Sequence, residues 1–359
     1  MRPEIGEFIY NANAARVVFG AGSAQHALRE LDKMGCTRAL VLCTPNQRSL
    51  AEAVVHTLGS KAVAVFDQAQ MHVPLEVAAA GLRAARAAGA DCTVAVGGGS
   101  TIGLAKAIAL SMGLPILAMP TTYAGSEMTP IYGITDAHGK KTGVDPRVLP
   151  KVVIYDPRLT MKLPASISIT SGINAIAHAA EGLYARDANP ITSLMAEEGI
   201  RALTEALPKL IAAPTHLQAR EMALYGAWLC GSVLGSVGMA LHHKLCHTLG
   251  GSFGLPHAET HTVVLPYALA YNYRHAPEAM RRLERAMQRD HGPTAIQELA
   301  KACGAPVSLM AIGMKAQDLD KAADMAMQNA YWNPRPLDRD AIRTLLQLAY
   351  EGLPPSHAA

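Results

Sequence analysis

Residues 91–110, DCTVAVGGGSTIGLAKAIAL, decide the fold of the first half of the chain. The apolar run ending at Val96 is typical of a buried strand, and a helix is predicted to begin near Thr101. Between them, the glycines allow the backbone to turn tightly and approach a phosphate without a clashing Cβ atom. The N–H groups and positive dipole end of the helix favour an anion there. We therefore expect a dinucleotide pyrophosphate to be bound by Gly97, Gly98, Gly99, Ser100 and Thr101.

Strand-like and helical segments alternate on both sides of this stretch. The further predicted strands are Arg38–Cys43, Lys61–Phe66, Pro115–Ala118 and Val152–Tyr155, and the predicted helices between them are Ser49–Leu58 and Leu75–Ala88. This alternation predicts a Rossmann-like parallel sheet with crossover helices, forming an α/β domain over residues 1–158.

After Asp156-Pro157 the strand-like runs stop. Segments rich in Ala, Leu and Met follow, and their helical periodicity predicts an all-helical second domain over residues 159–359. Its predicted helices span about 170–187, 190–212, 217–249, 259–274, 277–289, 293–303, 316–327 and 338–350.

Composition excludes several classes of protein. With 50% hydrophobic residues among 359, the chain is not disordered, and a net charge of +3 does not supply the basic face of a nucleic-acid binder. The six Cys include no CxxC pair, so a thiolate zinc site is not expected. The uncharged stretch Met222–Leu241 is interpreted as a buried core helix rather than a membrane span. Since the sequence shows no secretory signal, we expect a cytoplasmic protein with no membrane or nucleic-acid partner.

A second loop rich in hydroxyl groups follows the strand at Pro115–Ala118. It offers Thr121, Thr122, Tyr123, Ser126 and Thr129 as candidates for cofactor binding, because ligands lie at strand ends in open α/β sheets. The alternative is a solvated turn.

Cationic side chains supply a further set of candidates. Lys141 is a candidate for the cofactor, and Lys141, Arg147 and Lys244 are candidates for carboxylates of a substrate. Lys106 on the helix after the glycines is ambiguous, and for each cation the alternative is a solvated surface charge.

The loop after Arg38–Cys43 bears on cofactor choice. It continues Thr44-Pro45-Asn46 and contains no acid, whereas an acidic residue there would repel a 2′-phosphate. We therefore expect both NADH and NADPH to be used.

Five of the 14 histidines fall between positions 242 and 261. His243 and His247 share one helix face, the helix is predicted to end at Gly250-Gly251, and a loop then presents His257. Asn174 and His178 have the same i, i+4 spacing on an earlier helix. A lone histidine is usually a core residue, but this pattern indicates a site.

The motifs GGGST, PTTYAGSEMT, NAIAHAAEG, HHKLCHTLGG and LPHAETH occur in this order over nearly the whole chain, which resembles the iron-containing alcohol dehydrogenase family. The resemblance implies a dehydroquinate synthase-like architecture, with an N-terminal α/β nucleotide-binding domain and a C-terminal helical domain. It also implies a homodimer that uses NADH or NADPH. Members bind Fe²⁺ or Zn²⁺ through an Asp, a His four residues later and two further His. The corresponding positions here are Asn174, His178, His243 and His257, while His247 matches a non-ligand His near the nicotinamide.

Asn174 departs from this pattern, because the family has Asp there. A neutral amide is a poorer ligand for a hard divalent cation, so we expect weak metal binding or none. The variant resembles a branch that reduces a carbon–carbon double bond conjugated to a ketone, in a small dicarboxylate formed during bacterial degradation of aromatics. In that chemistry His243 and His247 are the candidates for enolate stabiliser and proton donor, with the two roles left unassigned between them, while His178 and His257 help to hold the substrate.

The sequence raises three other functions, and Asn174 speaks against one of them, a dehydroquinate synthase-like or glycerol dehydrogenase-like enzyme, because both keep a metal-binding acid. Two others remain open. One is an iron- or zinc-dependent alcohol dehydrogenase acting on a small alcohol or carbonyl compound. The other is a nucleotide-binding sensor without catalysis, although a sensor has no need of three imidazoles together.

Overall fold

The computed structural model describes residues 7–13, 15–137, 139–329 and 331–355, and the chain divides into two compact units. The α/β unit is Ala12–Leu163, and the helical unit begins at Pro164 and also includes residues 7–11. The sequence placed this division at residue 158. In the structure it falls later, because Leu159 packs on the α/β core.

Six parallel strands form the main sheet of the α/β unit, and two antiparallel strands form a separate hairpin. The sheet strands are β1 (Arg16–Phe19), β2 (Ala39–Leu42), β3 (Ala62–Phe66), β4 (Cys92–Gly97), β5 (Ile116–Pro120) and β8 (Val152–Tyr155), and the hairpin strands are β6 (Ile131–Asp136) and β7 (Gly139–Val144). This confirms the predicted sheet. Strands β1, β6 and β7 were missed, because β1 is a four-residue edge strand and the hairpin is partly polar.

Helices cover the apolar sheet. They are α1 (Ala27–Lys33), α2 (Arg48–Leu58), α3 (Leu75–Ala87) and α4 (Gly99–Met112). All residues of β2, β4 and β5 are buried, which explains why the sequence shows continuous apolar runs rather than alternation.

The strand order β1-β8-β5-β4-β2-β3 determines where a ligand is expected. From β4 the chain continues to β5 on one side, whereas from β2 it continues to β3 on the other side. Such a reversal opens a crevice beyond the carboxyl ends of the two strands, and ligands of open α/β sheets bind there. Both the glycine turn and the Thr44-Pro45-Asn46 loop follow the strands at this position.

The helical unit is built around two buried helices. Its helices are α5 (Ala165–Leu183), α6 (Pro190–Ala212), α7 (Leu217–Ser236), α8 (Leu241–Phe253), α9 (His257–Asn272), α10 (Pro277–Met287), α11 (Gly292–Ala302), α12 (Leu319–Ala326) and α13 (Arg339–Glu351). Every residue of α5 from Ser168 and of α9 from Thr260 is buried, so polar groups on these helices lie in the interior.

The single helix predicted over 217–249 is wrong. The structure has α7 and α8 there, bent by 96°. Val237 is extended, with φ −137° and ψ 161°, and the Gly238 N–H donates to Asp187 Oδ1 at 2.9 Å. The predicted end at Gly250-Gly251 is also wrong, because α8 continues to Phe253 and ends at Gly254 with φ +68°.

The helix pair α7 and α8 also bears on the membrane question. Among the described helices, none alone has the length and apolarity needed to cross a membrane. The bent pair meets that requirement when its helices are taken together, by length and composition only.

Candidate active site

The glycine turn at the end of β4 approaches the segment that follows β5. A Cβ atom on Gly98 would lie 2.7 Å from Thr122 Cγ2, and one on Gly97 would overlap the side chain of Thr101. Gly99 is exposed, and the nearest atom to a Cβ there would be 3.9 Å away. The first two glycines therefore permit close packing, and the third leaves the N-terminus of α4 accessible to an anion.

Gln47, which sequence reasoning missed, connects the strand ends. Its Nε2 donates to Thr121 Oγ1 at 2.6 Å, and its Oε1 accepts from Thr44 Oγ1 at 3.2 Å. A Cβ on Gly97 would come within 2.9 Å of Gln47 Oε1. The ends of β2, β4 and β5 thus meet at the predicted crevice. In the sequence, Gln47 could have been found as a polar side chain directly after Thr44-Pro45-Asn46, at the end of a predicted strand.

The other candidates for cofactor binding occupy different environments. Ser100 and Thr122 are half-buried, while Thr101, Thr121 and Tyr123 are buried. Among the described residues Thr101 Oγ1 has no hydrogen-bond partner, whereas the Ser126 carbonyl and the Thr129 hydroxyl contact Lys106. Ser100 and Thr122 are therefore the more accessible hydroxyls at the turn.

Two predicted cations lie elsewhere in the α/β unit. Lys141 is on β7, 72% exposed, and pairs with Asp136 at 2.6 Å. Arg147 pairs with Asp145 at 2.7 Å. Neither is part of the strand-end cluster formed by Gln47, the glycine turn and Thr121-Thr122.

The helical unit brings the four predicted histidines into one cluster. His178 of α5 places Nδ1 2.9 Å from Nε2 of His243 on α8. The ring of His247 lies 6.1 Å from that of His243, and His261 lies 5.0 Å from His243 and 4.5 Å from His257. His178 and His243 are buried, His257 is half-buried and His247 is exposed.

Glu181, which sequence reasoning also missed, orients this cluster. It is fully buried on α5, and its Oε2 lies 2.6 Å from His243 Nδ1. Its Oε1 accepts from the His242 N–H at 2.7 Å, and Oε2 accepts from the His243 N–H at 3.3 Å, so the carboxylate also caps the first turn of α8. Because a carboxylate only accepts, the hydrogen of His243 is on Nδ1, and Nε2 accepts from His178 Nδ1.

His242 and His261 form a buried pair behind the cluster. His242 Nε2 lies 2.9 Å from His261 Nδ1, so one hydrogen is shared between them. Burial, reinforced by the neighbouring imidazoles, holds the pKa of each well below its usual range. Both are therefore neutral residues of the interior, although they belong to the same sequence motifs as the predicted site.

Of the predicted metal ligands, Asn174 and His178 lie on α5, His243 lies on α8 and His257 begins α9. Asn174 Oδ1 is buried without a hydrogen-bond partner among the described residues. This oxygen can therefore accept a hydrogen bond from a ligand or bind a cation. Among the described residues, two groups of His, Cys, Asp or Glu have ligand atoms that all lie within 4.8 Å of one another. One is His242, Cys246 and His261, and the other is Cys36, Asp91 and Cys92. Neither group contains His178, His243 or His257, and one nitrogen of His243 is directed to Glu181. An amide with three neutral imidazoles is also a poor donor set for a hard cation.

Lys244 is the predicted cation that lies beside the histidines. It is half-buried on α8, and its Nζ lies 5.6 Å from the ring centre of Tyr331. The Lys244 ammonium, held over the aromatic face of Tyr331, suits a carboxylate of a ligand.

Comparison with known families covers both units. Residues 14–157 match the family model for iron-containing alcohol dehydrogenase, and residues 168–350 match the model for the C-terminal part of the Fe-containing alcohol dehydrogenase family.

Known proteins are similar in sequence to this chain over nearly its whole length. A maleylacetate reductase of Burkholderia cepacia is 61% identical over 349 residues, which is 97% of this chain and 99% of that protein. A maleylacetate reductase of Pseudomonas knackmussii is 56% identical over the same shares of the two chains. Among solved structures, maleylacetate reductase from Agrobacterium tumefaciens is 54% identical with a TM-score of 0.95, covering 98% of this chain and 100% of that one.

Proposed function

This chain belongs to the iron-containing alcohol dehydrogenase family and is an oxidoreductase, and from its similarity to maleylacetate reductases over nearly the whole chain we propose that it is a maleylacetate reductase. It would reduce the carbon–carbon double bond of maleylacetate to give 3-oxoadipate. The observation that carries the proposal is the polar cluster of the helical unit, in which Asn174 replaces an acidic metal ligand and Glu181 orients His243. Such a cluster supplies hydrogen bonds and protons rather than a strong Lewis acid.

The reaction needs a hydride and a proton. NADH or NADPH, when bound, would supply the hydride that the alkene carbon β to the ketone accepts. Negative charge then develops on the ketone oxygen, and an imidazole N–H stabilises that enolate electrostatically. A proton added to the neighbouring carbon completes the reduction, so no alkoxide forms directly.

His243 and His247 share these two tasks in the proposal. His243 is buried and fixed by Glu181. Because its Nδ1 hydrogen is donated to Glu181, it stabilises the enolate when Nε2 is also protonated, as an imidazolium. His247 is exposed, so it can regain a proton from solvent between turnovers and suits the proton donor. His178, His257 and the Asn174 amide help to hold the substrate, with Lys244 facing one of its carboxylates.

The strand-end cluster of the α/β unit holds the cofactor in this proposal. The N–H groups at Gly99 and Ser100 and the hydroxyls of Ser100 and Thr122 would bind the pyrophosphate. No acid follows β2 before Arg48, which supports use of both NADH and NADPH. We also propose a homodimer and a cytoplasmic location, and the free thiol state of all six cysteines agrees with a reducing compartment.

The deciding experiment follows oxidation of NADH and NADPH with freshly prepared maleylacetate, with and without EDTA. We expect rapid turnover that the chelator does not change, and kcat/KM values for the two cofactors within about tenfold, or about 1.4 kcal/mol. Failure to reduce maleylacetate, combined with metal-dependent turnover of small alcohols or aldehydes, would instead identify a metal-dependent alcohol dehydrogenase.

A further inference from the structure

Lys106 is a buried cation in the α/β unit whose role the proposed reaction does not explain. It lies on α4, about two turns after the glycine turn, and is 1% exposed. Its Nζ donates to the carbonyl oxygens of Ser126 at 2.6 Å, Thr129 at 2.8 Å and Ile131 at 2.7 Å. The Thr129 hydroxyl lies 3.0 Å away as a fourth oxygen.

These oxygens form a cage suited to a cation. An isolated buried ammonium is costly, and fixed dipoles must replace the water that it loses. Burial lowers the pKa of Lys106 to about 7, while the Glu127 carboxylate acts in the opposite direction. An ammonium has three N–H donors for the four oxygens, so its charged form matches the cage better than a neutral amine does.

All four oxygens belong to one stretch of chain. The segment 121–130, here called the hydroxyl loop, joins β5 to β6, and Ile131 begins β6. A second anchor holds the same loop from β8, because the Tyr155 hydroxyl donates to the buried Glu127 Oε1 at 2.8 Å. The hydroxyl loop is thus fixed from within by two side chains of the α/β unit.

The fixed loop reaches the glycine turn at its other end. Thr122 lies so close to Gly98 that a Cβ atom there would be 2.7 Å from Thr122 Cγ2. Thr121 is bonded to Gln47 at 2.6 Å. The position of the loop therefore determines how the half-buried Thr122 hydroxyl lies over the N-terminus of α4.

We propose that Lys106 is an internal cation that holds the hydroxyl loop against α4 and thereby positions Thr122 for dinucleotide binding. Lys106 is a positioning residue, since its Nζ contacts the loop and is itself buried. This inference rests on the proposed cofactor site of the α/β unit and adds a residue that acts on cofactor affinity without touching the cofactor.

The test measures NADH binding in the absence of substrate, by calorimetry and by fluorescence of bound NADH. Lys106→Ala should raise the NADH dissociation constant about tenfold or more, which corresponds to about 1.4 kcal/mol. The atoms removed by this substitution, three carbons and the ammonium, match n-propylammonium. Adding that ion should restore NADH affinity, whereas propan-1-ol should not. At saturating NADH, kcat should change much less than the KM for NADH.

Two further variants separate positioning from general loss of stability. Ile108→Ala removes a fully buried side chain from the same helix, and it should lower Tm without changing the NADH dissociation constant at 25 °C. Lys106→Met keeps the length of the side chain without the charge, and it should bind NADH as weakly as Lys106→Ala. If Lys106→Ala does not fold, Lys106→Met is the variant whose NADH dissociation constant is measured.

Wild-type affinity in folded Lys106→Met, or an equal loss of affinity in Ile108→Ala, would overturn the inference. These outcomes are distinct from failure of the proposed function. If wild-type protein binds NADH but does not reduce maleylacetate, the proposed reaction fails while the role of Lys106 stands.

Discussion

Glu181 sets the direction of the hydrogen bonds among the buried histidines. Its Oε1 is fixed by the His242 N–H, so the other oxygen must face His243 Nδ1. His243 therefore carries its hydrogen on Nδ1, and its Nε2 accepts from His178 Nδ1 at 2.9 Å. One carboxylate thus determines the tautomers of two rings.

Glu181→Gln should reverse these hydrogen bonds while preserving side-chain size. We expect the Gln oxygen to keep the shorter backbone bond, from the His242 N–H at 2.7 Å rather than the His243 N–H at 3.3 Å, so its NH₂ group donates to His243 Nδ1 and moves the ring hydrogen to Nε2. We expect a loss in kcat of roughly 10–100-fold, the usual cost of removing a group that orients a functional histidine. Histidine ¹⁵N chemical shifts should report the exchanged tautomer.

A matched control exists in the other unit. Glu30 is also fully buried, with its Oε2 2.6 Å from Arg16, and it lies on α1 away from both candidate sites. Glu30→Gln should lower stability but leave kcat unchanged. An unaltered tautomer and wild-type kcat in Glu181→Gln would show that Glu181 only caps α8.

Asn174→Asp tests the inferred ligand positions. Without a metal, the new carboxylate would be buried where Asn174 Oδ1 now has no partner among the described residues, so the variant should be less stable by several kcal/mol. Zn²⁺ should bind this variant more tightly than wild type and raise its Tm. If calorimetry shows no gain in affinity for Zn²⁺ or Fe²⁺, the assignment of Asn174, His178, His243 and His257 to one ligand set is wrong.

Sequence reasoning identified residues whose chemistry repeats at regular spacing, and it missed those that act through tertiary contacts. The histidines of α8 and the glycine turn are marked by local pattern. Glu181 and Gln47 have no such mark, because their roles depend on partners 62 and 74 residues away. Lys106 could be a surface charge or a buried cation, and only the four surrounding oxygens decide between them.

At the scale of the elements, the turn between β4 and α4 leaves different amounts of space for a Cβ atom at its three glycines. A Cβ on Gly98 would meet Thr122 at 2.7 Å, whereas one on Gly99 would have no neighbour closer than 3.9 Å. The sequence GGG treats these positions alike, and only the approach of the hydroxyl loop distinguishes them.

Gly98→Ala should therefore displace Thr122 and weaken NADH binding about tenfold or more, or about 1.4 kcal/mol. Gly103→Ala is the matched control and should bind NADH within about threefold of wild type, because its Cβ would also meet a side chain at 2.7 Å, Val73 Cγ2, but on α4 beyond the turn. Titration of both variants with NADH checks the expectation. If Gly103→Ala loses as much affinity as Gly98→Ala, distortion of α4 in general, rather than displacement of Thr122, accounts for the loss.

The break between α7 and α8 shows where element-level prediction fails. The residues across it remain apolar, so the hydrophobic pattern is continuous although the chain turns by 96°. The causes are the extended Val237 and the bond from the Gly238 N–H to Asp187, which lies 51 residues earlier. Strands β2, β4 and β5 were predicted because burial on both faces makes each an uninterrupted apolar run.

At the scale of the whole molecule, the two units have separate hydrophobic cores. One core joins residues of α1 and α2 to the parallel sheet, and another joins α8 and α9 to α12 and α13. The change from strand–helix alternation to continuous helical periodicity predicted this division. The division lies at 163 rather than 158, because the Leu159 side chain packs on the core of the α/β unit.

Separate cores predict separate unfolding transitions in calorimetry, because two-state behaviour commonly fails in proteins with more than one domain. Ile108→Ala and Leu346→Ala each remove a fully buried side chain, one in each unit, and should lower different transitions. Each should cost about 2–5 kcal/mol.

NADH at 100 times its dissociation constant stabilises the unit that binds it by about 2.7 kcal/mol. We expect NADH to raise the transition that Ile108→Ala lowers and not the one that Leu346→Ala lowers. A single transition shifted equally by both variants would show that the units unfold together, and a selective shift of the Leu346→Ala transition would place the cofactor in the helical unit.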